Sequence, residues 1–167
     1  MRKSILAGVA LGVLAATTGR FAASEKKNVA AIEQAVNGSW RSADAKARDH
    51  ERHPAAALEF WGLKPGMTIL EIQPGGGWWT EILAPYARAT QGEFYATAAD
   101  LADPNLSDGA RKGRADFAAK YADESVYGKV SLVNWAANAA PLPANKFDWM
   151  LLARSLRAGD GFALNGL

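Results

Sequence analysis

Apolar residues change spacing along the chain, and the change predicts helices first and strands afterwards. A helix is predicted from Ser24 to about residue 37, where Val29, Ile32 and Val36 share one face. Residues 39–53 are densely charged, which predicts a short exposed helix or a loop. The next helix is predicted over 54–62, because a proline suits the first turn and a glycine follows the last.

Four apolar segments of strand length follow, separated by turn residues or by helical spacing. They span residues 67–72, 93–98, 130–133 and 147–153. A helix carrying Trp79, Ile82, Leu83 and Tyr86 follows the first segment, and another, about 110–121, follows the second. Pro85 is expected to bend or end the first of these helices. This order predicts an α/β protein with a parallel sheet and crossover helices.

The junction between the first predicted strand and its helix carries the strongest chemical signal. Glu71 lies near the end of the strand, and Gly75, Gly76 and Gly77 form a turn in which the helix starts. This arrangement places a ligand against backbone N–H groups and a helix N-terminus. The run matches neither the dinucleotide fingerprint nor a phosphate loop. The turn is therefore either a ligand site, with Glu71 facing a cationic or amine group, or a tight turn that needs glycine only for its backbone.

The amino terminus predicts a secretory signal peptide over residues 1–23. A positive start, Met1-Arg2-Lys3, precedes a small-residue apolar run over residues 5–16. That run is shorter than the roughly 20 residues of a membrane-spanning helix, and an uncleaved anchor is the alternative. The absence of cysteine excludes disulfides and thiolate metal sites. We therefore expect a periplasmic or secreted protein without a stable membrane span after cleavage.

Charge and histidine content narrow the possible partners. The formal charge of +2 becomes −1 once the leader is removed, because residues 1–23 hold three basic residues and no acid (2 − 3 = −1). With no basic stripe, no nucleic-acid partner is predicted. His50 and His53 could form half of a zinc site, which a carboxylate would have to complete, but a solvated charged helix is the favoured interpretation. No metal is predicted.

The run over residues 69–86, ILEIQPGGGWWTEILAPY, resembles the first motif of class I S-adenosylmethionine-dependent methyltransferases. It is most similar to a family of predicted, often exported, methyltransferase-like proteins, and the likeness extends over about 48–154. The resemblance implies a Rossmann-like, doubly wound, mostly parallel sheet with N-terminal helices. It also implies S-adenosylmethionine as cofactor and methyl transfer to an unknown small-molecule substrate. The domains are then a leader (1–23), a helical segment (24–62) and an incomplete methyltransferase-type domain (63–167).

The predicted cofactor site consists of Glu71, Gly75, Gly76, Gly77, Trp78, Thr80 and Asp100, and all of these except Trp78 follow from the resemblance. The acid and glycines of the motif would hold the methionine part of the cofactor, with Gly76 and Thr80 as neighbours. Asp100, just beyond the second predicted strand, stands near the position of an acid that binds the ribose hydroxyls. Trp78 is the aromatic candidate for a pocket wall, whereas Trp79 is expected in the core.

Several positions depart from the family's pattern. Gln73 replaces the usual first glycine, and Asn134 and Asn138 stand where an acid often meets the adenine. After the fourth predicted strand, Arg154 matches the family, whereas Arg157 replaces a histidine. Arg154 is therefore the one catalytic candidate, and a solvated or ion-paired arginine is the alternative.

The fourth predicted strand lies near the end of the chain, although a methyltransferase sheet of this class has further strands. That strand would be an uncovered apolar edge. Truncation is the favoured explanation, and a frameshifted gene copy or dimerisation through the edge are the alternatives. Two functions remain open. One is an S-adenosylmethionine-dependent methyltransferase-like enzyme, and the other is a non-catalytic exported ligand-binding or interaction module on a degenerate methyltransferase fold.

Overall fold

A computed structural model describes residues 7–136 and 139–153, with side chains described from residue 22 onward. The helices are α1 (Ala7–Val36), α2 (Ala43–Ala47), α3 (Asp49–Arg52), α4 (Pro54–Phe60), α5 (Thr80–Ala89), α6 (Asp108–Lys120) and α7 (Glu124–Tyr127). The strands are β1 (Thr68–Glu71), β2 (Glu93–Ala99), β3 (Val130–Trp135) and β4 (Trp149–Leu151). β1 and β4 lie within their predicted segments, and β2 and β3 begin where predicted and extend one and two residues further.

The four strands form one parallel sheet in the order β3-β2-β1-β4. Leu70 at the centre of β1 pairs with Tyr95 of β2 on one side and with Met150 of β4 on the other. The chain therefore adds β2 and β3 on one side of β1 and then changes direction to place β4 on the other. This is an α/β Rossmann-like fold, which confirms the predicted class. Ligands in such sheets bind beyond the carboxyl ends of the strands where the order reverses.

The core lies between the sheet and the helices α1, α4 and α5. Its side chains that are at most 2% exposed include Ile32, Leu58, Leu63, Ile69, Ile82, Leu83, Tyr86 and Phe94. Asn28 ties α1 to this layer, since its side-chain amide donates to the Leu63 carbonyl and its oxygen accepts from the Tyr86 hydroxyl. The predicted apolar face of the first helix is thus confirmed as a core face.

Pro85 lies inside α5 and does not end it, because the helix continues to Ala89. A proline has no N–H, so it leaves the carbonyl of Glu81, four residues earlier, without its helical donor. The indole Nε1 of Trp40 donates to that carbonyl at 2.8 Å. A side chain from outside the helix therefore replaces the missing bond. Of the two outcomes predicted for Pro85, an end to the helix does not occur, and a bend stays a prediction.

The first helix starts earlier than its sequence pattern predicts. It extends from Ala7 without interruption through Ser24, which lies exposed inside the helix rather than capping it. The alanine-rich sequence around it favours helix, so no break is needed at that serine.

None of the helices within the described part of the chain is long and apolar enough to cross a membrane. Leader cleavage and a periplasmic location stay predictions.

The carboxyl-terminal strand lies at an edge of the sheet. Within residues 7–136 and 139–153, β4 pairs only with β1, and Met150 is 48% exposed. Dimerisation through this edge stays a prediction.

Asn138, Arg154 and Arg157 lie outside the described residues, so the catalytic role predicted for Arg154 is untested.

Candidate functional site

The turn after β1 uses left-handed backbone conformations. Gln73, Gly75 and Gly77 have φ angles of 52°, 57° and 80°, a region that residues with a Cβ adopt at a cost. Gln73 therefore occupies a conformation that suits glycine, the residue usual at this place in the motif. Its backbone N–H donates to the hydroxyl of Thr97 on β2 at 2.7 Å, which helps to hold the turn in place.

The three glycines of the turn differ in how much space each has for a side chain. A Cβ at Gly77 would overlap the hydroxyl of Tyr121, which donates to the Gly77 carbonyl at 3.0 Å. A Cβ at Gly75 or Gly76 would meet no atom within 4 Å. Packing thus adds to the positive φ in requiring glycine at Gly77, the positive φ alone favours it at Gly75, and the space beside Gly76 is open. Gly75 and Gly77 thus have a conformational requirement for glycine, and ligand binding at the turn stays a prediction.

Glu71 ends β1 as a buried acid, with only 2% of its surface exposed. The hydroxyl of Thr80, in the first turn of α5, donates to its Oε2 at 2.6 Å. Burial raises the pKa of Glu71 to about 7, against the opposing effect of the Thr80 hydrogen bond. Near neutral pH the carboxyl is therefore divided between its two protonation states, and a cation brought beside it would favour the charged one.

A cavity of about 760 Å³ lies beyond the carboxyl ends of β1 and β4, where the strand order reverses. It brings together four of the predicted site residues: Glu71, Gly75, Gly76 and Trp78. Thr80 lies behind Glu71, and Gly77 faces Tyr121. The charged residues of the lining are Asp44, Arg48, Arg52, Glu71, Glu81 and Lys120.

Asp100 is not part of this lining. Its Oδ1 accepts from the side chain of Asn134 at 3.0 Å, and Asn134 accepts in turn from Arg114 at 2.9 Å. The two positions considered for ribose and adenine contacts are thus bonded to each other at the ends of β2 and β3. Their cofactor roles stay predictions.

Sequence reasoning missed the second wall of the cavity, which we call the helical wall and define as α2, α3 and Arg48 between them. Residues 39–53 were predicted to be exposed, but Arg41, just before α2, is only 3% exposed. Arg41 holds both carboxylate oxygens of Asp49, at 2.7 and 2.8 Å, and donates to the last carbonyl of α1, Val36, at 2.6 Å. A buried arginine is stable only with such partners.

Trp78 joins the helical wall to the glycine turn. Its indole N–H donates to the Ala45 carbonyl of α2 at 2.8 Å. Three guanidinium groups lie against its ring, with centroid distances of 4.6 Å for Arg52, 5.2 Å for Arg41 and 6.0 Å for Arg48. The four-residue spacing of Arg48 and Arg52 was a visible signal, but it is also typical of a solvated helix.

Lys120, at the end of α6, also supports the turn. Its Nζ donates to the Gly76 carbonyl at 3.1 Å and forms an ion pair with Oε1 of Glu81 at 2.8 Å. The other oxygen of Glu81, Oε2, is buried without a hydrogen-bond partner in the part of the chain that is described. Glu81 thus adds a second carboxyl group to the lining of the cavity, with one of its oxygens held by Lys120.

His50 lies in α3, and His53 directly follows that helix. Both are exposed, and His53, with φ 45°, ends α3 and precedes Pro54 of α4. Among residues 7–136 and 139–153, no three His, Cys, Asp or Glu side chains are grouped so as to hold a metal ion.

The chain is similar to curated methyltransferases over part of its length. The ubiquinone/menaquinone biosynthesis C-methyltransferase UbiE of Shewanella pealeana is 31% identical over 108 residues, covering 65% of this chain and 39% of that protein. Its namesake from Shewanella sediminis is 30% identical with the same coverage. The chain therefore matches well under half the length of these relatives. No family model and no solved structure matches the chain. The similarity supports a relationship to the S-adenosylmethionine-dependent methyltransferases, the family that the glycine motif resembles.

Proposed function

We propose that the chain binds S-adenosylmethionine in the cavity beside Glu71 and serves methyl transfer to a small-molecule acceptor. The observation that carries the proposal is the buried carboxyl of Glu71 next to the open backbone of Gly75 and Gly76, all on one cavity at the strand reversal. The similarity to curated C-methyltransferases supports the same function.

The residues present fit such a cofactor. Its methionine end carries an ammonium group and its sulfur a positive charge, and the lining of the cavity contains the carboxyl groups of Glu71 and Glu81. The absence of a Cβ at Gly75 and Gly76 lets a ligand approach the backbone closely. A volume of about 760 Å³ lies within the range of about 300–1,000 Å³ that is usual for small-molecule sites.

When bound, S-adenosylmethionine supplies an electrophilic methyl group on a positively charged sulfur. The contribution of this chain is to position the reactants and to exclude water. Tyr121 and Lys120 hold the carbonyls of Gly77 and Gly76, so the turn keeps its shape without a ligand's help. Glu71 becomes fully charged when a cation lies beside it, and it then releases its proton.

Calorimetric titration with S-adenosylhomocysteine tests the proposal through this proton. Because the pKa of Glu71 is about 7, binding of the ammonium should tighten about tenfold between pH 6 and pH 8. At pH 7, binding should release up to about half a proton, measured by repeating the titration in buffers of different ionisation enthalpy. Glu71→Gln should remove both effects, whereas Glu124→Gln, at an exposed acid on α7, should leave them unchanged.

Absence of binding at millimolar S-adenosylhomocysteine, with a folded chain shown by circular dichroism, would contradict the proposal. That result would favour the alternative, a non-catalytic module that keeps the methyltransferase fold.

A further inference from the structure

Two guanidinium groups on the helical wall face the cavity without a carboxylate of their own. Arg48 and Arg52 both line the cavity and have exposed side chains. Within the described ranges, neither has a carboxylate oxygen within 4.0 Å. The other two cations nearby are neutralised, since Arg41 pairs with Asp49 and Lys120 pairs with Glu81.

The two groups are held close together in spite of their like charges. Both lie against the Trp78 ring, at 6.0 and 4.6 Å from its centroid. Partial burial and the neighbouring Arg48 lower the pKa of Arg52, and Glu51 only partly offsets them. A guanidinium that lies against an aromatic face keeps its edge N–H groups available for a planar oxyanion.

The remaining charges of the lining do not cancel this pair. Glu71 is buried and bonded to Thr80, and Glu81 is bonded to Lys120. Asp44 is the other acid of the lining, and it lies beyond ion-pair distance of both arginines. The glycine-turn side of the cavity therefore carries two acids, whereas the helical wall contributes to the lining one acid, Asp44 of α2, and two arginines without an ion-pair partner in the described ranges.

Resting on the proposed function, we propose that Arg48 and Arg52, supported by Trp78, bind a carboxylate of the methyl acceptor. The acids beside the turn suit the positive end of the cofactor, whereas Arg48 lies between α2 and α3 and Arg52 lies at the end of α3. Two guanidinium groups on one ring can hold a carboxylate by charge-assisted, bidentate hydrogen bonds. The methyl acceptor then belongs to the class of small carboxylic acids, and its charged end lies against the helical wall.

Titration of the whole chain with benzoate and with its neutral counterpart benzamide tests this assignment. Benzoate should bind in the millimolar range and benzamide at least tenfold more weakly, as measured by nuclear magnetic resonance shift perturbation. The double variant Arg48→Gln/Arg52→Gln should weaken benzoate binding at least tenfold. The double variant Arg48→Lys/Arg52→Lys keeps both charges but loses the forked geometry. Its affinity for benzoate should lie between that of the unmodified chain and that of the glutamine double variant. Arg111→Gln, at an exposed arginine of α6, is the matched control and should bind benzoate normally.

Two cofactor fragments distinguish the acceptor from the cofactor as the source of the carboxylate. S-adenosylhomocysteine carries a carboxylate, whereas methylthioadenosine does not. The glutamine double variant should bind both within about twofold of the unmodified chain. A tenfold loss for S-adenosylhomocysteine alone would overturn the assignment, because the arginines would then hold the cofactor. Unchanged benzoate binding in a folded glutamine or lysine double variant would also overturn it. Arginine-dependent benzoate binding without any S-adenosylhomocysteine binding would support the anion site and contradict only the proposed cofactor.

Discussion

The two walls of the cavity are built by different means. The glycine turn between β1 and α5 is shaped by its backbone, with Gln73, Gly75 and Gly77 in left-handed conformations. The helical wall has ordinary backbone geometry in two short helices of five and four residues, which are too short to be stable alone. It depends on side chains, chiefly Arg41 and the Trp78 indole. A wall shaped by backbone leaves a signature of glycines in the sequence, whereas a wall held by side chains leaves charged residues that look like a solvated surface.

The walls also differ in what depends on them. Trp78 belongs to the glycine-turn side and donates to α2, so the helical wall is positioned by the turn. Tyr121 and Lys120 hold the turn from α6, independently of the helical wall. We therefore expect damage to the turn to spread to both walls and damage to the helical wall to stay local.

Gly77→Val is expected to have the largest effect. The new side chain combines the strain of a left-handed conformation with overlap against Tyr121, and it should lower the free energy of unfolding by roughly 4 kcal/mol. Gly75→Val is the matched control, because its φ is also positive but its Cβ would meet open space. It should cost roughly 2 kcal/mol, from strain alone. Urea denaturation measures both, and equal losses would show that Tyr121 does not restrict the turn.

Titration of Glu71, beside the glycine turn, is expected to make the free energy of unfolding depend on pH. Its pKa is about 7 in the folded chain and 4.5 as an ordinary value, so between these pH values the unfolded chain has released a proton that the folded chain keeps. The free energy of unfolding should therefore fall as pH rises from 4.5 to 7, by up to about 3 kcal/mol, and level off above that.

Glu71→Gln isolates this effect, because glutamine keeps an oxygen for the Thr80 hydroxyl and carries no titrating proton. The variant should be more stable than the unmodified chain at pH 8 and similar to it at pH 4.5, with urea denaturation at each pH as the measurement. Parallel pH profiles for the two proteins would contradict a raised pKa at Glu71.

The sequence predicted the strands and the glycine turn, whereas it did not reveal the contacts that build the helical wall or that carry α5 past its proline. Apolar spacing located all four strands, and the glycines located the cavity, since both report on backbone and burial. The buried Arg41 was not visible, because its burial depends on Asp49 and on the end of α1 being brought together by the fold. The continuation of α5 past Pro85 was missed for the same reason, since its compensating donor, Trp40, is 41 residues from the carbonyl it serves.

Arg41→Leu tests whether the helical wall depends on this side chain, and it is expected to have the smallest effect of the three. Loss of the guanidinium leaves Asp49 and the Val36 carbonyl without their partner. Breaking a buried ion pair costs about 3–5 kcal/mol, but the Asp49 side chain is 22% exposed and water partly compensates, so we expect a loss of about 2 kcal/mol. Hydrogen exchange should quicken in α2 and α3 and stay unchanged in β1 and the first turn of α5. Arg111→Leu should change neither stability nor exchange. Faster exchange in β1 as well would show that the turn depends on the helical wall, and the proposed hierarchy of the two walls would be reversed.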